Sequence, residues 1–239
     1  MKVAAVYTST TPELIEMVES ELKSRFNGEN LEIVSLKNPG ILKEARDMGG
    51  VTPHCARELV SLYEEAVKSG AEIIFNICSS IGDVAALAKP LYESCGVSFV
   101  RIDEDMARAA VKAGRRIGVL ATLRTTLEPT KRLIKACADE AAVKVELVDA
   151  LADGGFGMDQ EQFKKLLIET GGKIKDKVDV LVFAQGSMAY AEKAVSEALG
   201  LPVFSSVAYG ARAVKAAADK RAEDKQKTAL KGGVLNPSA

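Results

Sequence analysis

Apolar residues along the chain follow two alternating rhythms, short dense runs and longer stretches with helical spacing. Val3–Tyr7 is a short apolar run rich in β-formers, and Glu13–Phe26 then places Leu14, Ile15, Val18 and Leu22 at helical intervals. Leu31–Leu36 reads as a second strand, and Thr52-Pro53 opens a helix to about Ser69, since proline suits a first helical turn. Ile73–Cys78 has the apolar character of a strand buried on both faces, and a helix follows it through Leu91. Val97–Ile102 is the next strand, with Asp103 as N-cap of the helix after it. The alternation then recurs, with strands at Arg116–Ala121, Lys144–Val148, Val178–Ala184 and Pro202–Ser205. Helices fall near Pro129–Ala138, Asp159–Lys175, Ala189–Leu199 and Ala208–Lys220. Repeated βα units of this kind imply an α/β fold with parallel sheet covered by helices on both faces. From Ala222 the chain turns charged and then Gly/Pro/Ser-rich, which reads as a frayed tail.

The pattern also repeats on a larger scale. VAAVYTSTTPEL, from Val3, parallels IGVLATLRTTLEPT, from Ile117: a buried strand, Thr-rich residues and a proline-initiated helix. EIIFNICSSIGD, from Glu72, parallels DVLVFAQGSMAY, from Asp179, and sets Cys78 opposite Gln185. Two separate motifs recurring in the same order predict two similar halves.

Composition narrows the function classes. The 239 residues include 32 Lys+Arg and 33 Asp+Glu, for a net charge of −1, so no basic footprint for nucleic acid is expected. No stretch approaches the roughly 20 apolar residues of a membrane span. The opening MKVAAVYTSTTPE turns polar too soon for a secretory signal and reads as a first strand. Cys55, Cys78, Cys95 and Cys137 have no C-x-x-C spacing, and a single His cannot complete the usual zinc set. The expectation is a cytoplasmic protein with reduced thiols and no metal.

In parallel sheets, ligands gather at the carboxyl ends of strands and the helix N-termini that follow. Four such turns here are rich in hydroxyls: Thr8-Ser9-Thr10-Thr11, Ser79-Ser80, Thr122 with Thr125-Thr126, and Ser187. Each alone reads as helix capping, for which Ser and Thr are preferred. Four at matching positions in two halves point to a small anion held between them, since helix N-termini offer free N–H groups and partial positive charge. Neither G-x-x-x-x-G-K nor G-x-G-x-x-G occurs, which disfavours a nucleotide cradle. Arg124 is either a partner for a second carboxylate or phosphate, or a solvated loop charge.

Cys78 lies among these turns, directly before a helix N-terminus, a placement that lowers a thiol's pKa and supports a thiolate base or nucleophile. The usual fate of a free cysteine is a small buried core residue, and Cys55, Cys95 and Cys137 fit that description on helices or a helix end. Cys78 alone stands at a strand end flanked by polar residues. His54, at a helix start, carries no assigned role.

These pieces resemble the aspartate/glutamate racemase superfamily, with its hydantoin racemase, maleate isomerase and arylmalonate decarboxylase relatives. They are TSTTP after the first strand, NICSS, GVLAT followed by TT, FAQGSMA, and LPVFSSVAYG, in the family's order over residues 1 to about 215. The resemblance implies two similar α/β domains with the active site in the cleft between them, no cofactor, and a C-terminal helix returning to the first domain. On this chain that means a first half of 1–110 plus about 206–225, a second of 111–205, and a tail of 226–239. Racemases of this type place one cysteine from each half on opposite faces of a substrate carbon. Cys78 matches the first-half cysteine, but the second-half position is Gln185, and an amide cannot relay a proton as a thiol does. Arylmalonate decarboxylases also resemble this chain with a single cysteine, though theirs lies in the second half, so chemistry of that kind would run here from the opposite face.

The expectation is therefore a cofactor-independent enzyme acting by thiol acid/base chemistry next to a carboxylate of a small acid. One-face proton transfer or decarboxylation, and a small-carboxylate binding protein without turnover, are the alternatives. Cys78 and Gln185 are the catalytic candidates. Thr8, Ser9, Thr10, Asn76, Ser79, Ser80, Thr122, Arg124, Thr125, Thr126 and Ser187 are the substrate-binding candidates. The partners are the small carboxylate and a possible second copy of the chain.

Overall fold

A computed structural model describes residues 1–155 and 158–232. Strands β1 (Lys2–Tyr7), β2 (Glu32–Lys37), β3 (Ile73–Ile77) and β4 (Ser98–Arg101) form one parallel sheet in the order β2-β1-β3-β4. Strands β5 (Arg116–Ala121), β6 (Glu146–Leu151), β7 (Val180–Phe183) and β8 (Val203–Phe204) form a second in the order β6-β5-β7-β8. The second sheet thus repeats the first strand for strand, as the internal repeat predicts. β3 and β7 are buried along their whole length, which is why their sequences are dense in Ile, Val and Phe.

Helices α1 (Pro12–Phe26), α2 (Pro39–Asp47) and α3 (Pro53–Lys68) each carry proline in the first turn. The missing proline N–H has no intrahelical acceptor at that position, so nothing is lost. Thr52 caps α3 by accepting from Cys55 N at 3.0 Å, and Asn38 caps α2 by accepting from Gly40 N at 3.1 Å. α2 is absent from the sequence reading, although Asn38-Pro39 is its start signal. α4 (Gly82–Ser94) and α5 (Glu104–Ala113) complete the first half of the chain, and α6 (Arg124–Glu140), α7 (Gln160–Gly172) and α8 (Glu192–Leu199) belong to the second.

Three expectations change. α6 starts at Arg124, so Pro129 is inside the helix rather than at its head. This is still within the second turn, and the Thr126 C=O accepts from Thr130 Oγ1 at 2.9 Å. Asp103 occupies the N-cap of α5 without making a cap bond: its backbone is already helical (φ −100°, ψ −9°), and its carboxylate turns to Arg101. The last helix, α9 (Ser206–Gly232), continues through the residues read as a frayed tail from Ala222. Lys225 there pairs with Glu72 at 2.5 Å, and residues 233–239 of the expected 226–239 tail lie outside the described residues.

Packing connects the halves. Val207, Ala211, Val214 and Ala218 of α9 share a core with Leu14, Val18, Leu22 and Phe26 of α1, so the C-terminal helix returns to the first sheet. Met106, Ala107, Ala110 and Val111 of α5 pack instead into the core of β5, β7 and α6. The expected boundary at 110/111 therefore falls inside a helix whose buried face belongs to the second half.

Candidate active site

Strand register brings the site residues together. Tyr7 pairs with Ile77, so the next residues, Thr8 and Cys78, leave the first sheet side by side. In the second sheet Leu120 pairs with Phe183, and two residues further on Thr122 and Gln185 join hands. Gln185 Nε2 donates to Thr122 Oγ1 at 2.7 Å, and Thr122 N donates to Gln185 Oε1 at 2.8 Å. These two hydrogen bonds pin the amide plane.

Cys78, Thr8, Ser9, Thr11, Ser79 and Ser80 line one side of a cleft between the halves, of about 90 Å³. Thr126, Gln185, Gly186 and Ser187 line it from the second half, and Leu14, Leu42 and Leu123 supply apolar wall. Among the described residues, none that lines it carries a carboxylate. That volume admits ordered water or the polar head of a small ligand. Ser80 Oγ and Thr126 Oγ1 share a 2.8 Å hydrogen bond across the halves. Thr8 is 1% exposed, and its Oγ1 has no hydrogen-bond partner among the described residues.

The remaining candidates are elsewhere. Asn76 is buried behind the cleft, accepting from Tyr63 OH at 2.8 Å and donating to the Cys78 C=O at 3.1 Å, so it fixes the thiol's backbone. Thr122 faces an adjoining compartment. Thr10 faces a separate surface groove with Pro12 and Lys37. Arg124 is exposed, and Arg124 and Thr125 are not among the cleft's described lining residues, although Thr125 Oγ1 is buried without a hydrogen-bond partner among the described residues. The sequence reading placed Thr11 in a hydroxyl-rich turn without making it a candidate, and it missed Leu14 and Leu42. Thr11 ends the Thr-rich run that signalled the others, Leu14 reads equally well as core, and Leu42 came unseen with α2.

The thiol's electrostatics reverse the expected preference for thiolate. Burial is the largest influence on Cys78 and pushes its pKa up; the Thr8 hydroxyl and the Ile81 and Ser80 N–H groups oppose it, and the Asp103 charge adds to the rise. With no other partner among the described residues, the Thr8 hydroxyl can direct its proton to a Cys78 thiolate when one forms. Cys137 is likewise pushed up to about 11, chiefly by burial, whereas Cys95 is exposed rather than in the core. Near the site lies a buried ion pair that the sequence did not announce: Arg101 Nε and Nη2 donate to Asp103 at 3.1 and 3.2 Å, with side chains 5% and 1% exposed. A Cβ at Gly82, the first residue of α4, would lie 2.4 Å from Arg101 Nη2, so glycine admits the guanidinium. Among the described residues, no group of three or more His, Cys, Asp or Glu could hold a metal ion, and no helix is long and apolar enough to cross a membrane.

Two like-ordered parallel α/β halves with a hydroxyl-lined cleft at their strand ends define the class: a duplicated α/β protein of the racemase architecture. Residues 4–214 match the family model of the Asp/Glu/hydantoin racemases, and the chain belongs to that family. Among solved structures, it is similar to a glutamate racemase isoform from Bacillus anthracis (TM-score 0.67, 14% identity, covering 92% of this chain and 82% of that one). It is also similar to the allantoin racemase from Klebsiella pneumoniae (TM-score 0.60, 15% identity, 90% and 86% covered). Unliganded arylmalonate decarboxylase shares the fold as well (TM-score 0.57, 18% identity, 90% and 92% covered). No curated protein sequence matches the chain.

Proposed function

We propose that this racemase-family chain is a cofactor-independent enzyme that moves a proton at the carbon next to a carboxylate of a small acid, with Cys78 as its single thiol. The observation carrying this reading is that Cys78 and Gln185 line one hydroxyl-rich cleft while Thr122 holds the Gln185 amide on both its polar atoms. The substrate carboxylate would take hydrogen bonds from Thr8, Ser9, Ser79, Ser80, Thr126 and Ser187. Those donors would strengthen as charge builds on its oxygens in an enediolate. Gln185 would orient the substrate or the enolate without exchanging protons. A cytoplasmic setting, in which thiols stay reduced, suits this chemistry.

Burial of Cys78 favours one direction within that reading. A thiol whose pKa is raised is protonated at neutral pH and is better suited to giving a proton than to taking one. In a decarboxylation, the C–C bond to the departing CO₂ breaks and leaves its electron pair on the substrate as an enediolate. Cys78 then donates its proton to that carbon, and the resulting thiolate regains a proton from water.

The test follows deuterium entering a panel of small di- and hydroxy-acids, and CO₂ released from malonates, with wild type and Cys78→Ala. Incorporation or release by wild type that Cys78→Ala abolishes supports the reading. Turnover by Cys78→Ala at the wild-type rate contradicts it, and binding without turnover by wild type makes the protein a carboxylate-binding module.

A further inference from the structure

β3 is buried along its whole length, and Asn76 is its one polar residue, 1% exposed. An amide taken out of water costs free energy unless its polar atoms are met by partners. Two groups meet them here. The Cys78 C=O can only accept, so it takes a proton of Nδ2, and Oδ1 is left to accept from Tyr63 OH.

Tyr63 belongs to α3, is fully buried, and is not among the described residues that line the cleft. Its ring meets Tyr92 and Phe99 edge-on, with centroids 5.7 and 5.0 Å away, which holds the hydroxyl in place. Burial above all, and then the Cys78 charge, push its pKa well up, so the phenol keeps its proton and remains a donor.

These bonds stand where the sheet gives out. On the β4 side, Ile102 N still donates to the Asn76 C=O at 3.0 Å, but two residues on, the Cys78 C=O is held by the Asn76 side chain. A trans peptide is planar and turns its C=O and N–H to opposite sides. With the carbonyl drawn back to Asn76, the Ser79 N–H turns to the cleft side, where Ser79 forms part of the wall. The reversed peptide would put a carbonyl oxygen there, beside the thiol. The Ser80 and Ile81 N–H groups that oppose the rise in the Cys78 pKa belong to the same turn and depend on its orientation.

We propose that Tyr63 is a positioning residue for Cys78: through Asn76 it fixes the 78–79 peptide, and with it the aim of the thiol and of the N–H groups that follow. The assignment rests on the single-thiol reading above and concerns a residue that touches no substrate.

Iodoacetamide alkylation of each cysteine across a pH series, read by peptide mass spectrometry, tests it in wild type, Tyr63→Phe, Asn76→Leu and the double variant. Tyr63→Phe removes one oxygen and keeps the ring packing. The released turn no longer aims its N–H groups at the thiolate, so the Cys78 profile should move to higher pH. At a given alkaline pH Cys78 should react at least about threefold more slowly, within the span of one net hydrogen bond. Buried Cys55 and Cys137 should keep their wild-type rates. Asn76→Leu should slow Cys78 in the same way, and Tyr63→Phe added to it should change nothing further. With both partners apolar, the double variant should also stay folded. An unchanged or faster Cys78 in Tyr63→Phe overturns the inference, the faster one being loosening of the core. A further loss when Tyr63→Phe is added to Asn76→Leu overturns it too, because Tyr63 would then act by another route. Absence of turnover by wild type in the deuterium assay contradicts the single-thiol reading instead, and alkylation decides the Tyr63 clamp in either case.

Discussion

Ser80 Oγ and Thr126 Oγ1 meet at 2.8 Å, joining the turn after β3 to the first turn of α6 over a sequence distance of 46 residues. Both residues are buried, and both line the cleft, so one bond couples the assembly of the halves to the shape of the site. Thr126→Val should leave Ser80 without its partner and lower unfolding free energy by about 1–3 kcal/mol. Ser80→Ala with Thr126→Val should cost less than the two single changes added together. Urea denaturation of the four proteins measures this, and strict additivity would show that the bond carries no coupling.

Thiol reactivity should follow exposure and burial rather than strand-end position. Cys95, the exposed cysteine, should be alkylated first by iodoacetamide, with Cys78 slow at neutral pH. Because burial raises the Cys78 pKa above the ordinary 9.0, its thiolate fraction and its alkylation rate should keep rising beyond pH 9. If Cys78 serves as a proton donor, turnover should be level through neutral pH and fall only as that raised pKa is passed. Mass spectrometry of each peptide across a pH series measures the first, and a rate profile the second. A Cys78 plateau below pH 8 would contradict the role of burial.

The Arg101–Asp103 pair makes a separate expectation. Arg101→Met strands the Asp103 charge in the interior and should cost about 3–5 kcal/mol, whereas adding Asp103→Leu should recover much of the loss. Asp103 also pushes the Cys78 pKa up, so the single variant should shift the alkylation profile further toward high pH and the double variant should shift it back. Chemical denaturation and the same peptide mapping report both effects. A profile unmoved in either variant would separate the pair from the thiol.

Much of this was readable in the chain, for identifiable reasons. Runs such as Ile73–Cys78 and Val178–Ala184 are dense in apolar residues because their strands are buried, and their polar successors mark the strand ends. That sufficed to align Cys78 with Gln185 and to expect a duplicated fold. α2 escaped because its nine residues bury only Ile41 and Ala45, too few to set a periodic signal, and Leu42 went unseen with it. The head of α6 was misplaced because Pro129 reads as a first-turn proline, whereas it stands in the second turn, where one intrahelical bond is given up. The direction of the Cys78 shift was out of reach, since it depends on burial by residues distant in sequence. Likewise, Arg101 and Asp103 are two residues apart, but only the turn from β4 into α5 shows that they face each other.

The central claim is that protons enter or leave a substrate carbon from the Cys78 side alone, because Gln185 is clasped by Thr122 and has no proton to relay. Chiral chromatography of the product formed in deuterated water tests it most directly, with wild type beside Gln185→Cys. Cysteine is smaller than glutamine, so the new thiol fits the space, although a misplacement of about 1 Å could cost on the order of a hundredfold in rate. Wild type should give deuterated product of one hand, and Gln185→Cys should interconvert both hands. Both enantiomers from wild type at comparable rates would mean that another group supplies the second proton, and would contradict the account.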